Sequence, residues 1–292
     1  MKLKPMMFQL AKQASGSYKT VHDRIRIAQY FCDYLQKMNI QIKSIEHLKS
    51  KHIEGYITDR LAHGIGKRTL QNEMAAIRAL LRQAGREKLA DLERINNQNL
   101  GIGHASRAGT KEAIPNELFQ QIMEQAIMKD RGLAVTMQLA RQLGLRSEEA
   151  VQSIHSLKTW QKTLEQGKTH VNVVFGTKGG RARDSLVLNH EELLQTVNLA
   201  LSIAKEQNGK LIKKPNLKTA MTYWRNQTRL LGLSGKYAPH SLRYAWAQEV
   251  MVHYLEQGLS IKEAQAKVSM DLGHGDGRGR YVKTVYRLIS NK

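Results

Sequence analysis

The sequence predicts a mainly α-helical protein with one small β-hairpin, organised as two domains. Three observations carry this reading. Apolar residues recur at helical spacing through most of the 292 residues. A single short β-branched run, His170-Val171-Asn172-Val173-Val174-Phe175, precedes a Gly-Gly turn and a second such run, Asp184-Ser185-Leu186-Val187-Leu188. A polar, Gly-rich stretch without period, Arg94 to Thr110, separates two periodic regions.

In chain order, Val21 to Leu35 repeats apolar residues at helical spacing, and similar patterns run from about Leu48 to Leu61 and from Thr69 to Gln83. Gly64 and Gly66 break the second from the third, and Thr69 marks a helix start with Glu73 in its first turns. The boundary falls in the aperiodic stretch, giving a helical domain over 1–100, a linker over 101–112 and a second domain over 113–292. That second domain opens at Ile114-Pro115-Asn116-Glu117, which leads into the periodic Leu118–Ala126, and another helix carries Leu133–Leu143. After the hairpin, the chain from Glu191 onward is helical again, with breaks at Gly209, Gly232–Gly235 and Gly273–Gly279. No internal repeat is present.

The formal charge is +21 and the pI near 10. A chain this basic repels itself unless it meets a polyanion, and nucleic acid is the leading partner. Residues 1–110 hold 19 Lys and Arg against 9 Asp and Glu, so the excess is shared by both domains. Arg60, Lys67, Arg68, Arg78 and Arg82 in the first domain, and Arg181 and Arg183 on the hairpin, are candidates to track a phosphate backbone; a solvated helix face or turn is the plain alternative for each. Cys32 is the one cysteine and falls in an apolar-periodic stretch, so a buried core residue is expected and an intramolecular disulfide is impossible. No apolar run approaches the roughly 20 residues that span a bilayer, and no signal-type apolar segment opens the chain. A cytoplasmic, nucleoid-associated protein with no membrane partner is expected.

The chemistry-bearing residues lie in the second domain, in a definite order. Arg146 follows Gly144-Leu145 at the start of a helix. Lys178 stands in Thr177-Lys178-Gly179-Gly180-Arg181-Ala182-Arg183, at the hairpin tip. His240-Ser241-Leu242-Arg243 opens a helix after Pro239. Leu272-Gly273-His274 makes a turn before Tyr281 and Tyr286. Each string alone arises by chance, and an ion pair with Glu148 or Glu149 is the structural alternative for Arg146. The ordered succession resembles the catalytic domain of the tyrosine recombinase, or phage-type integrase, family over about residues 113–292. The helical first domain is similar in place and size to that family's SAM-like core-binding domain.

The resemblance implies a site-specific DNA recombinase that cuts and rejoins strands through a covalent 3′-phosphotyrosine bond, with neither metal nor cofactor. On it, Arg146 and Arg243 clamp the scissile phosphate, as planar guanidiniums suit two non-bridging oxygens. Lys178 protonates the leaving 5′-oxygen. Of His240 and His274, one assists proton transfer with the nucleophile and the other hydrogen-bonds a phosphate oxygen. Tyr286 is the nucleophile if the Gly275–Arg280 run is an insertion, with Tyr281 the alternative. The implied partners are double-stranded DNA at recombination or attachment sites, three further copies of the chain in a homotetramer on DNA, and DNA-bending accessory proteins. A sequence-specific DNA-binding protein without catalysis is the competing class, because basic helical domains bind DNA more often than they recombine it.

Overall fold

The structure is a computed structural model in which residues 3–106 and 108–289 are described. Arg107, inside the expected linker, lies outside the described residues, as do positions 1–2 and 290–292. The chain divides into two compact units, Met1–Ser106 and Arg107–Lys292.

The first unit holds α1 (Leu3–Gln13), α2 (Tyr18–Lys37), α3 (Ser50–Ala62), α4 (Lys67–Gln83) and the single turn α5 (Glu87–Ala90). Along α2 the buried residues are Ile27, Ala28, Phe31, Cys32 and Leu35, one stripe at helical spacing. They pack with Leu3 and Met7 of α1, Ile53, Tyr56 and Ile57 of α3, and Leu70, Met74, Ile77 and Leu80 of α4. Ser17 caps α2 by accepting from Thr20 N–H at 3.2 Å. α4 begins at Lys67 rather than Thr69, with Gly66 as its extended N-cap (φ −62°, ψ 141°). Cys32 is buried, with its thiol 3.6 Å from the Met7 sulfur.

The second unit runs α6 (Asn116–Lys129), α7 (Arg131–Gln142), α8 (Ser147–Val151), α9 (Leu157–Glu165), β1 (His170–Val173), β2 (Arg183–Leu186), α10 (His190–Glu206), α11 (Leu217–Leu230), α12 (His240–Glu256), α13 (Ile261–Asp271) and α14 (Gly279–Tyr286). The two strands pair antiparallel, His170 opposite Leu186 and Val173 opposite Arg183. A 3₁₀ turn at Lys178–Gly180 lies between them. The hairpin is therefore where the sequence places it, with shorter strands, and α9 is a helix that the sequence reading passed over.

Helix α12 explains where a site can form. Ser241 to Ala247 are all buried in succession, so this helix has no solvent face over two turns and must be enclosed. Leu242 and Ala245 join the core built with α6, α7, α9, α10 and α11. Tyr244, Trp246, Val250, Met251 and Tyr254 join a second core with Val268 of α13, Leu272 just after it, and Val282 and Tyr286 of α14. Arg243, in the middle of that run, is thus carried into the interior by its neighbours.

The turn before α8 depends on a glycine. Gly144 has φ +55°, and a Cβ there would lie 2.4 Å from Cε3 of the buried Trp246 indole. Neither the left-handed backbone nor the indole yields cheaply, so Gly144→Ala should destabilise the protein by at least about 2 kcal/mol. Urea unfolding of the variant measures this, and an unchanged midpoint would show that the turn does not depend on the missing side chain.

Candidate active site

The site begins with one carboxylate. Arg146 is the N-cap of α8, and Glu149, three residues on, accepts from its backbone N–H at 2.9 Å. The Glu149 side chain is wholly buried, and three guanidiniums converge on it. Arg146 Nη1 pairs with one oxygen; on the other lie Arg183 Nη2 at 2.9 Å and Arg243 Nη1 at 3.7 Å. Burial alone would raise this carboxyl, but Arg183, Arg243 and Arg146 outweigh it and hold it down to about 2.

Three cations against one anion leave the cluster net positive, and backbone carbonyls at helix C-termini supply the rest of the compensation. Arg243 donates from Nη1 to Gly144 O and from Nη2 to Leu272 O. Arg146 Nη2 also reaches Leu272 O, at 3.1 Å. Arg183 donates to Asp271 O at 2.6 Å, Gly144 O at 3.2 Å and Leu143 O at 3.3 Å. The ends of α7 and α13, the start of α8, strand β2 and helix α12 are therefore tied at one point.

Tyr286, the last residue of α14, delivers its hydroxyl to this cluster. It accepts from Arg243 Nε at 3.0 Å and lies 3.3 Å from His274 Nε2. The Tyr286 ring packs on Tyr244 (centroids 4.7 Å apart) and faces His240 (6.0 Å). Burial, then Arg243 and Arg146, push His240 down to about 4 and His274 to about 3, so both are neutral at pH 7. A neutral His274 with its hydrogen on Nδ1 can accept the tyrosine proton through Nε2.

Of the residues singled out from sequence, Arg146, His240, Arg243, His274 and Tyr286 are together. Arg243 is fully enclosed, with the phenol against its Nε, whereas the Arg146 side chain keeps 22% of its surface exposed. Lys178 is not in the cluster: it stands exposed on the hairpin turn, and among the described residues its ammonium has no ion-pair or hydrogen-bond partner. Tyr281 is 40% exposed and packs its ring against His274, centroids 5.3 Å apart.

The basic candidates divide. Arg183 is corrected outright: the side chain expected on a phosphate backbone is buried and committed to Glu149 and three carbonyls. Arg78 is likewise held inward, on Ile95 O at 2.7 Å and Asn97 Oδ1 at 3.0 Å. Arg60 is half-buried and paired with the buried Glu73 at 2.6 Å, which also accepts from Tyr56 Oη at 2.7 Å. Arg82 pairs with Asp91 on the surface. Lys67, Arg68 and Arg181 are exposed. Sequence reasoning missed the triple role of Glu149. It also missed that Arg183 shares a strand face with the buried Ser185, a signal the period-2 alternation carried.

A family model described as integrase matches residues 101–249, and one described as phage integrase, N-terminal, matches residues 1–90. A search of curated proteins returns no match. Among solved structures, the lambda integrase tetramer bound to a Holliday junction aligns with TM-score 0.59 at 15% identity, over 99% of this chain and 79% of that one. The Tn1549 transposon integrase in complex with transposon right end DNA aligns with TM-score 0.59 at 10% identity, over 100% and 96%. The XerH site-specific recombinase bound to palindromic difH substrate aligns with TM-score 0.56 at 17% identity, over 96% and 80%. At these identities the likeness is one of fold. No described helix is long and apolar enough to cross a membrane.

The depressed histidines and Glu149 give stability a definite pH dependence. Unfolded histidines take up protons below about 6.5, while the folded ones stay neutral down to about 4 and 3. In that window the unfolded chain binds more protons, so stability falls as pH drops; Glu149, about 2 folded against 4.5, extends the loss below 4.5. Thermal midpoints should fall steadily from pH 7 to pH 4, and the fall should be shallower in a His240→Gln/His274→Gln variant. Identical slopes for the two proteins would contradict the assignment.

Proposed function

The chain belongs to the integrase family of tyrosine recombinases, and we propose that it cleaves and rejoins DNA strands through a covalent 3′-phosphotyrosine intermediate formed on Tyr286. The single observation that carries this reading is the setting of the Tyr286 hydroxyl, between Arg243 Nε at 3.0 Å and His274 Nε2 at 3.3 Å, on a net-positive buried cluster. A phenol is a poor nucleophile until it loses its proton, and its ordinary pKa is near 10. A cation on its oxygen and an imidazole positioned to take the proton are what activates it.

In the proposed step the Tyr286 oxygen attacks the scissile phosphorus, its proton passes to His274, and the bond from phosphorus to the 5′-oxygen breaks. Negative charge grows on the non-bridging oxygens. Preorganised guanidinium donors then stabilise the transition state more than the ground state. Arg146, with exposed surface, meets the phosphate first. Arg243 has donors committed to Gly144, Leu272 and Tyr286, and it acts from beneath the nucleophile. His240 supplies a neutral hydrogen-bonding ring to a phosphate oxygen. Lys178 gives a proton to the leaving 5′-oxygen, for which the exposed hairpin turn must bring it over the cluster. Attack by a 5′-hydroxyl of another strand reverses the sequence and frees the tyrosine, so the phosphodiester is conserved without an energy source.

The DNA partner is a duplex, bound through the exposed lysines and arginines of both units, and exchange between two duplexes calls for four copies of the chain. Among the described residues the Tyr281 hydroxyl has no hydrogen bond to the arginines, and the residue is 40% exposed, which favours Tyr286 as the nucleophile.

The test uses a nicked duplex bearing the sequence that the protein selects from a randomised duplex pool. Wild type and Tyr281→Phe should leave a protein–DNA adduct on a denaturing gel, and Tyr286→Phe should leave none. An adduct lost only in Tyr281→Phe would move the nucleophile. Tight binding without any adduct would make the protein a non-catalytic DNA-binding protein.

A further inference from the structure

Residues 109–112, part of the stretch read from sequence as linker, are packed against the residues that hold Tyr286. A Cβ on Gly109 would lie 2.0 Å from Tyr244 Oη and 2.1 Å from Val285 O. The backbone therefore has the room of a hydrogen atom and no more, against the two groups flanking the tyrosine: the Tyr244 ring packed on it at a tilt and the residue before it. Lys111 Nζ donates to Gly235 O at 2.8 Å. Glu112 then closes both sides. Its backbone N–H donates to Lys236 O at 3.1 Å, and its carboxylate pairs with Lys236 at 2.9 Å and with Arg287 at 3.2 Å. Lys236 belongs to the turn leading into His240, and Arg287 directly follows Tyr286 in a left-handed conformation (φ +55°).

We infer that Gly109–Glu112 is a buttress that sets the position of the nucleophile: Gly109 through contact with Val285 and Tyr244, and Glu112 by tying the residue after Tyr286 to the turn before His240. The inference rests on the reading of Tyr286 as nucleophile and adds the part of the chain that places it. The two contributions are unequal. The Glu112 pairs are solvent-exposed, so screening and side-chain entropy keep them weak. The Gly109 contact is steric, involves a buried ring and a carbonyl, and does not respond to salt. Gly109 has no left-handed backbone to preserve, so Gly109→Ala tests the contact alone. Both are positioning residues, since neither touches the reacting atoms.

The experiment compares full-length wild type, Gly109→Ala, Glu112→Arg and the charge swap Glu112→Arg/Arg287→Glu on the same nicked duplex, reading both DNA affinity and the single-turnover rate of adduct formation. A misplacement of the nucleophile by about an ångström should slow Gly109→Ala roughly 10- to 100-fold while affinity stays within about twofold. Glu112→Arg should be slowed less, and the swap should recover part of the loss. Fluorotyrosine labelling gives a readout that needs no DNA: the ¹⁹F resonance of Tyr286, identified by its disappearance in Tyr286→Phe, should shift in Gly109→Ala.

A wild-type rate in Gly109→Ala with an unshifted resonance would overturn the inference. If Gly109→Ala does not fold, the ion-pair arm decides: Glu112→Arg reacting as fast as wild type would overturn it, and slowing repaired by the swap supports it. If wild type itself forms no adduct, the proposed function falls, while the ¹⁹F comparison still decides whether the buttress positions Tyr286.

Discussion

One buried carboxylate holds the second unit's site together. Glu149 is the anion shared by Arg146, Arg183 and Arg243, and without it three guanidiniums would face one another in the interior. Like charges at such distances repel strongly where water is excluded. The carbonyls of Leu143, Gly144, Asp271 and Leu272 share the load, which is why the turn at Gly144 and the end of α13 meet at this point. The arrangement stays net positive, and in the proposed function that surplus suits it to a phosphate in the course of acquiring charge.

The rest of the geometry follows from how each element reaches that carboxylate. Helix α12 is enclosed on all sides, so Arg243 arrives as part of the core. Strand β2 sends Arg183 inward because residues two apart share a face, and Ser185 beside it is buried too. Gly273 matches this: a Cβ there would meet the Arg183 Cδ at 2.8 Å. α14 closes the site by presenting Val282 and Tyr286, four residues apart, to one core, while Tyr281 falls on the outer side.

Much of this was legible in the sequence. The hairpin, the helical first unit and the ordered run of Arg146, His240, Arg243, His274 and a late tyrosine were all readable, because periodicity and motif order survive without coordinates. That Tyr286 rather than Tyr281 is the buried tyrosine had a further signal that went unused, the four-residue spacing from Val282. What stayed hidden were roles set by long-range packing. Glu149 reads as a local partner for Arg146, three residues away, and nothing local says that Arg183 and Arg243 share it. Charge counting also overstated the surface available to a polyanion: Arg60, Arg78 and Arg183 are spent on internal partners, whereas Lys67, Arg68 and Arg181 remain exposed. The Gly-rich composition around Gly109 reads as flexibility, yet that glycine is there in a tight contact.

The most direct test of the account is the unfolding free energy of Glu149→Gln, which keeps the side chain's shape and removes its charge. If the carboxylate is the common tie, urea unfolding at pH 7 should show a loss of about 3–5 kcal/mol, the cost of leaving buried cations uncompensated. A loss under about 1 kcal/mol, the range of an ordinary surface pair, would show that the arginines hold their places without it and would contradict the account.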